Sequence, residues 1–181
     1  MIAVLISGTG RSLANLIDKN FKIVWVGSTK ECPGLAIAEK AGIPTVICRE
    51  TKEFFKFARE KKVELIVLAG FLKMLEIPPD YAGKVINIHP SLLPAFGGKG
   101  MFGINVHKAA IESGVKFSGC TVHYVTNQYD QGPIITQRIV AVEEGDTPET
   151  LASKVFEQEK IALPDAIVHH KERLKICGNK V

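Results

Sequence analysis

Apolar, β-branched residues fall into short runs along the first half of the chain: Ile2 to Ile6, Ile23 to Val26, Thr45 to Ile47, Leu65 to Leu68 and Val85 to Ile88. Between them lie Ser12 to Asn20, Leu35 to Ala41 and Lys52 to Lys62, whose apolar residues recur at helical spacing. Strands alternating with helices predict a parallel sheet covered by helices. In the third helical stretch Phe54, Phe57 and Ala58 share a face and are expected in the core.

The second half is patterned differently. Lys116 to Val125 and Ile134 to Val142 are strand-like and joined only by Thr126 to Pro133, a connection short enough to predict an antiparallel pair added to the sheet. Thr147-Pro148-Glu149 then starts a helix: Thr147 can cap it, Pro148 suits its first position, and Glu149 favours its positive end. Pro164 is expected to kink or break that helix on its way to Arg173. With 181 residues and no linker or repeat, one domain over residues 1–181 is expected.

Composition narrows the classes. The chain is 46% hydrophobic and 23% charged, near the globular average, which argues against disorder. Its net charge of +4 is spread along the chain, giving nucleic-acid binding little support while suiting a site for small anions. Leu65 to Leu72, broken only by Gly70, is far short of the roughly 18 apolar residues of a membrane span. Met1 leads directly into Ile2 to Ile6 without a basic leader, so a cytoplasmic location is expected. Cys32, Cys48, Cys120 and Cys177 stand far apart with no metal-ligand spacing beside them, as thiols of a reduced compartment do. Adjacent residues of a helix point apart, so His169 and His170 predict a surface pair, not a metal site.

Functional loops of open α/β sheets leave the carboxyl ends of the strands. Three here are unusual: Gly8 to Ser12, Ala69 to Leu75, and Asn87 to Pro94. In Ser7-Gly8-Thr9-Gly10-Arg11-Ser12 the glycines let backbone N–H groups approach an anion at a helix N-terminus. A dinucleotide fingerprint fails at Leu13, where a third glycine belongs, and at Gly27-Ser28-Thr29, where an acidic residue belongs. Gly97-Gly98-Lys99-Gly100 likewise fails as a P-loop, so a phosphate monoester is the better ligand.

Asn87-Ile88-His89-Pro90-Ser91-Leu92-Leu93-Pro94 is the densest constellation. Two apart on a strand, Asn87 and His89 point to one face, roughly 6.5 to 7 Å from each other. Pro90 and Pro94 stiffen the segment. An asparagine amide can hold a polarised oxygen, and a histidine can trade protons near neutral pH. Asp130, in Tyr129-Asp130-Gln131-Gly132-Pro133, is a candidate to orient and charge that histidine; an ordinary turn aspartate is the alternative.

Asn87-x-His89-Pro90-Ser91-Leu92-Leu93-Pro94 with Asp130-x-Gly132-Pro133 downstream resembles the formyltetrahydrofolate-dependent formyltransferases. The similarity runs from about Ile2 to the helix containing Glu159, and it implies an α/β, Rossmann-like three-layer fold: a mostly parallel sheet of about seven strands with an antiparallel pair in the second half. Length, glycine loop and Ala69 to Leu75 point within that family to the enzymes of purine synthesis that move a formyl group from 10-formyltetrahydrofolate to the amine of glycinamide ribonucleotide, with no metal. By resemblance, Asn87 and protonated His89 stabilise the oxygen of the tetrahedral intermediate, and Asp130 keeps His89 charged. Gly10, Arg11 and Ser12 meet the phosphate; Glu159 meets the amino end, with Phe156 one turn away. The folate rests on Leu72, Lys73, Met74 and Leu75, on Asn87, and on Thr126, Asn127, Gln128, Tyr129 and Asp130, with Lys52 as a basic contact.

Three features depart from the family pattern. Arg11-Ser12 stands where Ser-Asn is frequent, Asn127 replaces a frequent acidic residue, and Ala95 to Val106 is long and glycine-rich, as a mobile flap over the site is. The alternatives are a deformylase or another amine formyltransferase of the family, and, from a different class, a non-catalytic nucleotide-binding domain. Deformylases normally carry an extra N-terminal domain and methionyl-tRNA formyltransferases an extra C-terminal one, for which 181 residues leave no room. A binding domain needs the glycine loop but not Asn87, His89 and Asp130 together. A homodimer is compatible with the sequence, which does not fix the oligomeric state.

Overall fold

The structure, a computed structural model, describes residues 1–178 and side chains as far as Arg173; the Cys177 thiol lies outside the described residues' side chains. Strands β1 (Ile2–Leu5), β2 (Ile23–Ser28), β3 (Thr45–Ile47), β4 (Leu65–Leu68) and β5 (Val85–His89) form the parallel part of the sheet. Helices α1 (Arg11–Asp18), α2 (Pro33–Lys40) and α3 (Lys52–Glu60) lie between them, with a 3₁₀ turn at Pro79–Tyr81 before β5. Helix α4 (Ile104–Glu112), strands β6 (Phe117–Tyr124) and β7 (Ile134–Ala141), and helix α5 (Pro148–Gly178) complete the chain. The seven strands are ordered β3-β2-β1-β4-β5-β6-β7, and β6 is antiparallel to both neighbours, so it alone runs against the rest.

Strand β1 is buried on both faces, which is why its sequence is a continuous apolar run. Ile2, Val4 and Ile6 join Leu13 and Leu16 of α1, Leu35 of α2, Ala110 of α4 and Leu151 and Val155 of α5 in one core layer. Ala3 and Leu5 point the other way, into Trp25, Phe54, Phe55, Ala58 and Tyr81. Each large apolar side chain so buried contributes about 1.5–3 kcal/mol. In α3, Phe55 is buried beside Phe54, whereas Phe57 is only half-buried, because the α3 face is wide enough to take two adjacent rings. Phe54 also meets Phe71 edge-on at 6.0 Å between centroids, and this anchors the loop after β4 to the core.

Two expectations from the prolines and glycines change. Helix α5 runs unbroken through Pro164, which is itself buried with Leu163, Ala166 and Ile167 around it; that burial offsets the ~3 kcal/mol an internal proline costs. Its start is as expected: the Thr150 N–H donates to Thr147 Oγ1 at 3.3 Å and the Thr147 N–H to Thr150 Oγ1 at 2.9 Å, a reciprocal cap. The segment Ala95 to Val106 is a loop only as far as Gly103, since α4 begins at Ile104 and buries Val106 and Ala110. Nor are His169 and His170 a surface pair: His169 is exposed, but His170 is buried with Nδ1 3.1 Å from the Tyr124 hydroxyl. Among the described residues no group of three His, Cys, Asp or Glu could hold a metal ion, and no helix is long and apolar enough to cross a membrane.

Candidate active site

From β1 the chain turns through α1 towards β2, and from its neighbour β4 it turns towards β5, so the loops after β1 and β4 part. Such a switch point opens a crevice at the carboxyl ends of the strands. Here it is a cleft of about 760 Å³ that collects Gly10, Arg11, Ser12, Leu72 to Leu75, Asn87, His89, Thr126, Gln128 to Asp130, Phe156 and Glu159. Two expected contacts are not brought in. Lys52 starts α3 away from the cleft, and Asn127 turns from it, its Oδ1 accepting the Ile77 N–H at 2.7 Å.

At the cleft's centre, β5 ends in Asn87 and His89, and β6 places His123 directly opposite Asn87. Asp130 reaches this corner from the β6–β7 connection with φ 54°, a left-handed conformation that aspartate tolerates better than most residues. Gly132 permits the turn, because a Cβ there would lie 1.5 Å from the Tyr124 carbonyl oxygen. The Asp130 carboxylate sits 3.6 Å from His89 Nδ1 and 3.6 Å from His123 Nε2, and its Oδ2 accepts the Gly98 N–H at 2.8 Å. Burial pushes its pKa up, but the His123 and Gly98 contacts and both imidazoles outweigh that and hold it below the usual carboxylate range.

His89 is 4% exposed, with Nε2 2.8 Å from the Phe96 carbonyl. A carbonyl only accepts, so Nε2 carries the proton and Nδ1 is the nitrogen that faces Asp130. In the neutral ring two lone pairs meet there; a proton taken up at Nδ1 relieves that. Burial opposes the charge more strongly than Asp130 and the Phe96 carbonyl favour it, so the pKa lies below the ordinary histidine value. The expectation that Asp130 keeps His89 charged is corrected: its carboxylate acts in that direction, and desolvation wins in the free protein. The Asn87 amide nitrogen is 3.2 Å from His123 Nε2, and His123 Nδ1 is 3.0 Å from the Tyr124 carbonyl, which fixes both side chains. The Pro90 to Pro94 turn is latched to the sheet, as the Leu93 N–H donates to Thr121 Oγ1 at 3.0 Å and Gln137 Nε2 to the Leu93 carbonyl at 3.0 Å.

The glycine loop forms one end of the cleft. Gly10 caps α1 at φ 76°, and a Cβ on it would meet Gly34 Cα at 2.8 Å. Arg11 follows, exposed, its guanidinium 4.2 Å above the Phe156 ring of α5. Glu159, one turn further along α5, is half-buried; desolvation pushes its pKa up to about 7, with the Arg11 charge pulling the other way. Another part of the lining is apolar. Leu72 is 52% exposed, its N–H held by Ser7 Oγ at 3.1 Å, and it lines the cleft together with Thr126 and Gln128 to Asp130.

His123 and His107 are cleft residues that sequence reasoning missed. A single histidine inside an apolar strand or helix gives no signal on its own; the register of β6 against Asn87 is what reveals His123.

Residues 1–167 match the model of the formyl transferase family. The chain belongs to the formyl transferase family. Among its relatives in that family, the chloroplastic phosphoribosylglycinamide formyltransferase of Arabidopsis thaliana is 37% identical over 177 residues, covering 87% of this chain and 61% of the relative. The human trifunctional purine biosynthetic protein adenosine-3 is 40% identical, over 99% of this chain but 20% of its own length. The chain thus spans about three-fifths of the plant protein and a fifth of the human one. Among solved structures, phosphoribosylglycinamide formyltransferase from Anaplasma phagocytophilum superposes with a TM-score of 0.85 at 38% identity, over 94% of this chain and 87% of that one. A mixed sheet with an antiparallel second half is thus the fold this chain shares with its solved relatives.

Proposed function

We propose that this formyl transferase moves the formyl group of 10-formyltetrahydrofolate to the primary amine of glycinamide ribonucleotide. The observation that carries the reading is the Asn87–His89–His123–Asp130 corner, which opens into the same cleft as the anion loop Gly10 to Ser12 and the apolar Leu72 to Leu75. The amine attacks the formyl carbon and the carbonyl oxygen takes up negative charge. Asn87 and His89 stabilise that oxygen, the Asn87 amide being already oriented by His123. The new C–N bond leaves a surplus proton on the attacking nitrogen, and the departing folate nitrogen needs one. His89 Nδ1 and Asp130 hold it in transit, passing it through water, so formylated acceptor and tetrahydrofolate leave with the balance closed.

The developing negative charge favours the imidazolium that burial disfavours in the free protein, so His89 is charged when the charge is useful. Gly10, Arg11 and Ser12 hold the phosphate, Glu159 the amino end, and Leu72 to Leu75 with the Thr126 to Asp130 turn the folate. The free thiols of Cys32, Cys48 and Cys120 fit a cytoplasmic enzyme. Mixing the protein with both substrates and following tetrahydrofolate release tests the reading: release that depends on glycinamide ribonucleotide supports it, and release without any acceptor points to a deformylase instead.

A further inference from the structure

Helix α4 turns one side chain to the cleft that the chemistry above leaves unused. His107 is 4% exposed, is buried on α4 along with Val106 and Ala110, and lines the cleft wall. Its Nδ1 is sealed from solvent with no hydrogen-bond partner among the described residues. Buried polar atoms are rarely left unpaired, since each costs about 1–3 kcal/mol. The imidazole is therefore not retained for a bond within the protein, and at this position an apolar side chain would pack without that cost. With Nδ1 sealed, Nε2 is the nitrogen left to meet a ligand.

The neighbours of the ring define what kind of ligand. Burial first, then the nearby His89 and Arg11, disfavour a proton on it, and its pKa is pushed down to about 4. At physiological pH it is thus a neutral imidazole, unsuited to an anion but able to pair with a hydroxyl, which donates and accepts in turn. His107 lines the same cleft as Arg11 and His89 and lies close enough to both to feel them. In a ribonucleotide that reaches both of these residues, the part lying between phosphate and amine is the sugar.

We infer that His107 is a specificity-determining residue whose neutral imidazole hydrogen-bonds a sugar hydroxyl of the acceptor. The inference rests on the reading of the acceptor as a sugar phosphate bearing an amine. It assigns phosphate affinity to the glycine loop and sugar recognition to α4.

Two probes separate the parts: inorganic phosphate, and ribose 5-phosphate, with Kd measured by calorimetry. The parent should bind ribose 5-phosphate more tightly than inorganic phosphate. His107→Phe, which keeps the ring's bulk, should weaken ribose 5-phosphate about tenfold, the effect of one lost hydrogen bond at the upper end of its usual worth, and leave inorganic phosphate unchanged. His107→Gln, whose amide reaches near the Nε2 position, should restore most of the difference. In the formyl-transfer assay the Phe variant should raise KM for the acceptor and hold kcat within about twofold. Unchanged affinity for both probes in His107→Phe overturns the inference while leaving the transferase reading intact. A parent that binds neither probe overturns both.

Discussion

The two working ends of the cleft are built in opposite ways. At the proton-handling corner every group is buried or half-buried and fixed by the fold: His89 by the Phe96 carbonyl, Asn87 by His123, Asp130 by the Gly98 N–H and by a turn that only Gly132 allows. At the anion end Arg11 is exposed, and a stack on Phe156 is what holds it. Charge that develops during a reaction is best met by dipoles already in place, since reorganising them would add to the barrier. A phosphate arrives fully charged and strips little from a flexible guanidinium, so looseness there costs little. The comparison predicts that damage to the corner lowers kcat and damage to the anion end raises KM.

Asp130→Asn breaks the corner most severely. It removes the charge that favours the imidazolium, and kcat should fall about 10²–10⁴-fold with KM values changed far less. Because Asp130 raises the His89 pKa, already lowered by burial, its removal should lower it further in an NMR titration. The double variant His89→Asn with Asp130→Asn should be little worse than either single one, since the two act as a unit. Fully additive losses would falsify the pairing. Next in size is His123→Phe, which frees the Asn87 amide and strips one partner from Asp130. A drop in kcat of roughly tenfold to a hundredfold is expected, at nearly constant KM. An effect on acceptor KM alone would place His123 at the wrong end of the cleft.

At the anion end the scale is smaller. Arg11→Ala should raise KM for the ribonucleotide about tenfold while the folate KM and kcat hold steady, because a phosphate far from the reacting amine contributes uniform binding. Phe156→Leu removes the stacking platform but not the charge, and should raise the same KM only about two- to fivefold, in line with ~0.5–1 kcal/mol for an exposed cation–π pair. Steady-state kinetics with each substrate varied separates these outcomes; equal rises in both KM values would detach Arg11 from the phosphate.

Legibility in the sequence followed the same division. Continuous apolar runs made the parallel strands readable because both of their faces are buried, and Asn87, His89 and Asp130 were readable as a motif with a turn. What depends on register across strands was hidden: His123 becomes part of the corner only because β6 pairs antiparallel with β5 at Asn87. Helix α4 was masked by the glycines before it, and Pro164 misled because tertiary burial overrides a local cost. The net state of His89 was out of reach for a related reason: spacing suggests a carboxylate partner but says nothing of how deeply the pair is buried.

The smallest effect tests the acceptor's amino end through stability instead of turnover. Glu159 has its pKa raised to about 7 by burial, against 4.5 for the unperturbed group. A raised carboxyl pKa means that the unfolded chain gives up this proton at lower pH than the folded one does. Stability associated with the neutral carboxyl is therefore complete below about 4.5 and is lost as pH rises through about 7. Glu159→Gln keeps a neutral side chain of the same shape at every pH, so its Tm should exceed the parent's at pH 8 and match it near pH 4. Since ~1 kcal/mol moves Tm by roughly 2–4 °C in a domain of this size, a gap of a few degrees is expected without ligand. Saturating ribonucleotide should shrink that gap, because an acceptor amine near the carboxyl favours its charged form. A gap that grows when the ribonucleotide is added would place the amino end of the acceptor away from Glu159.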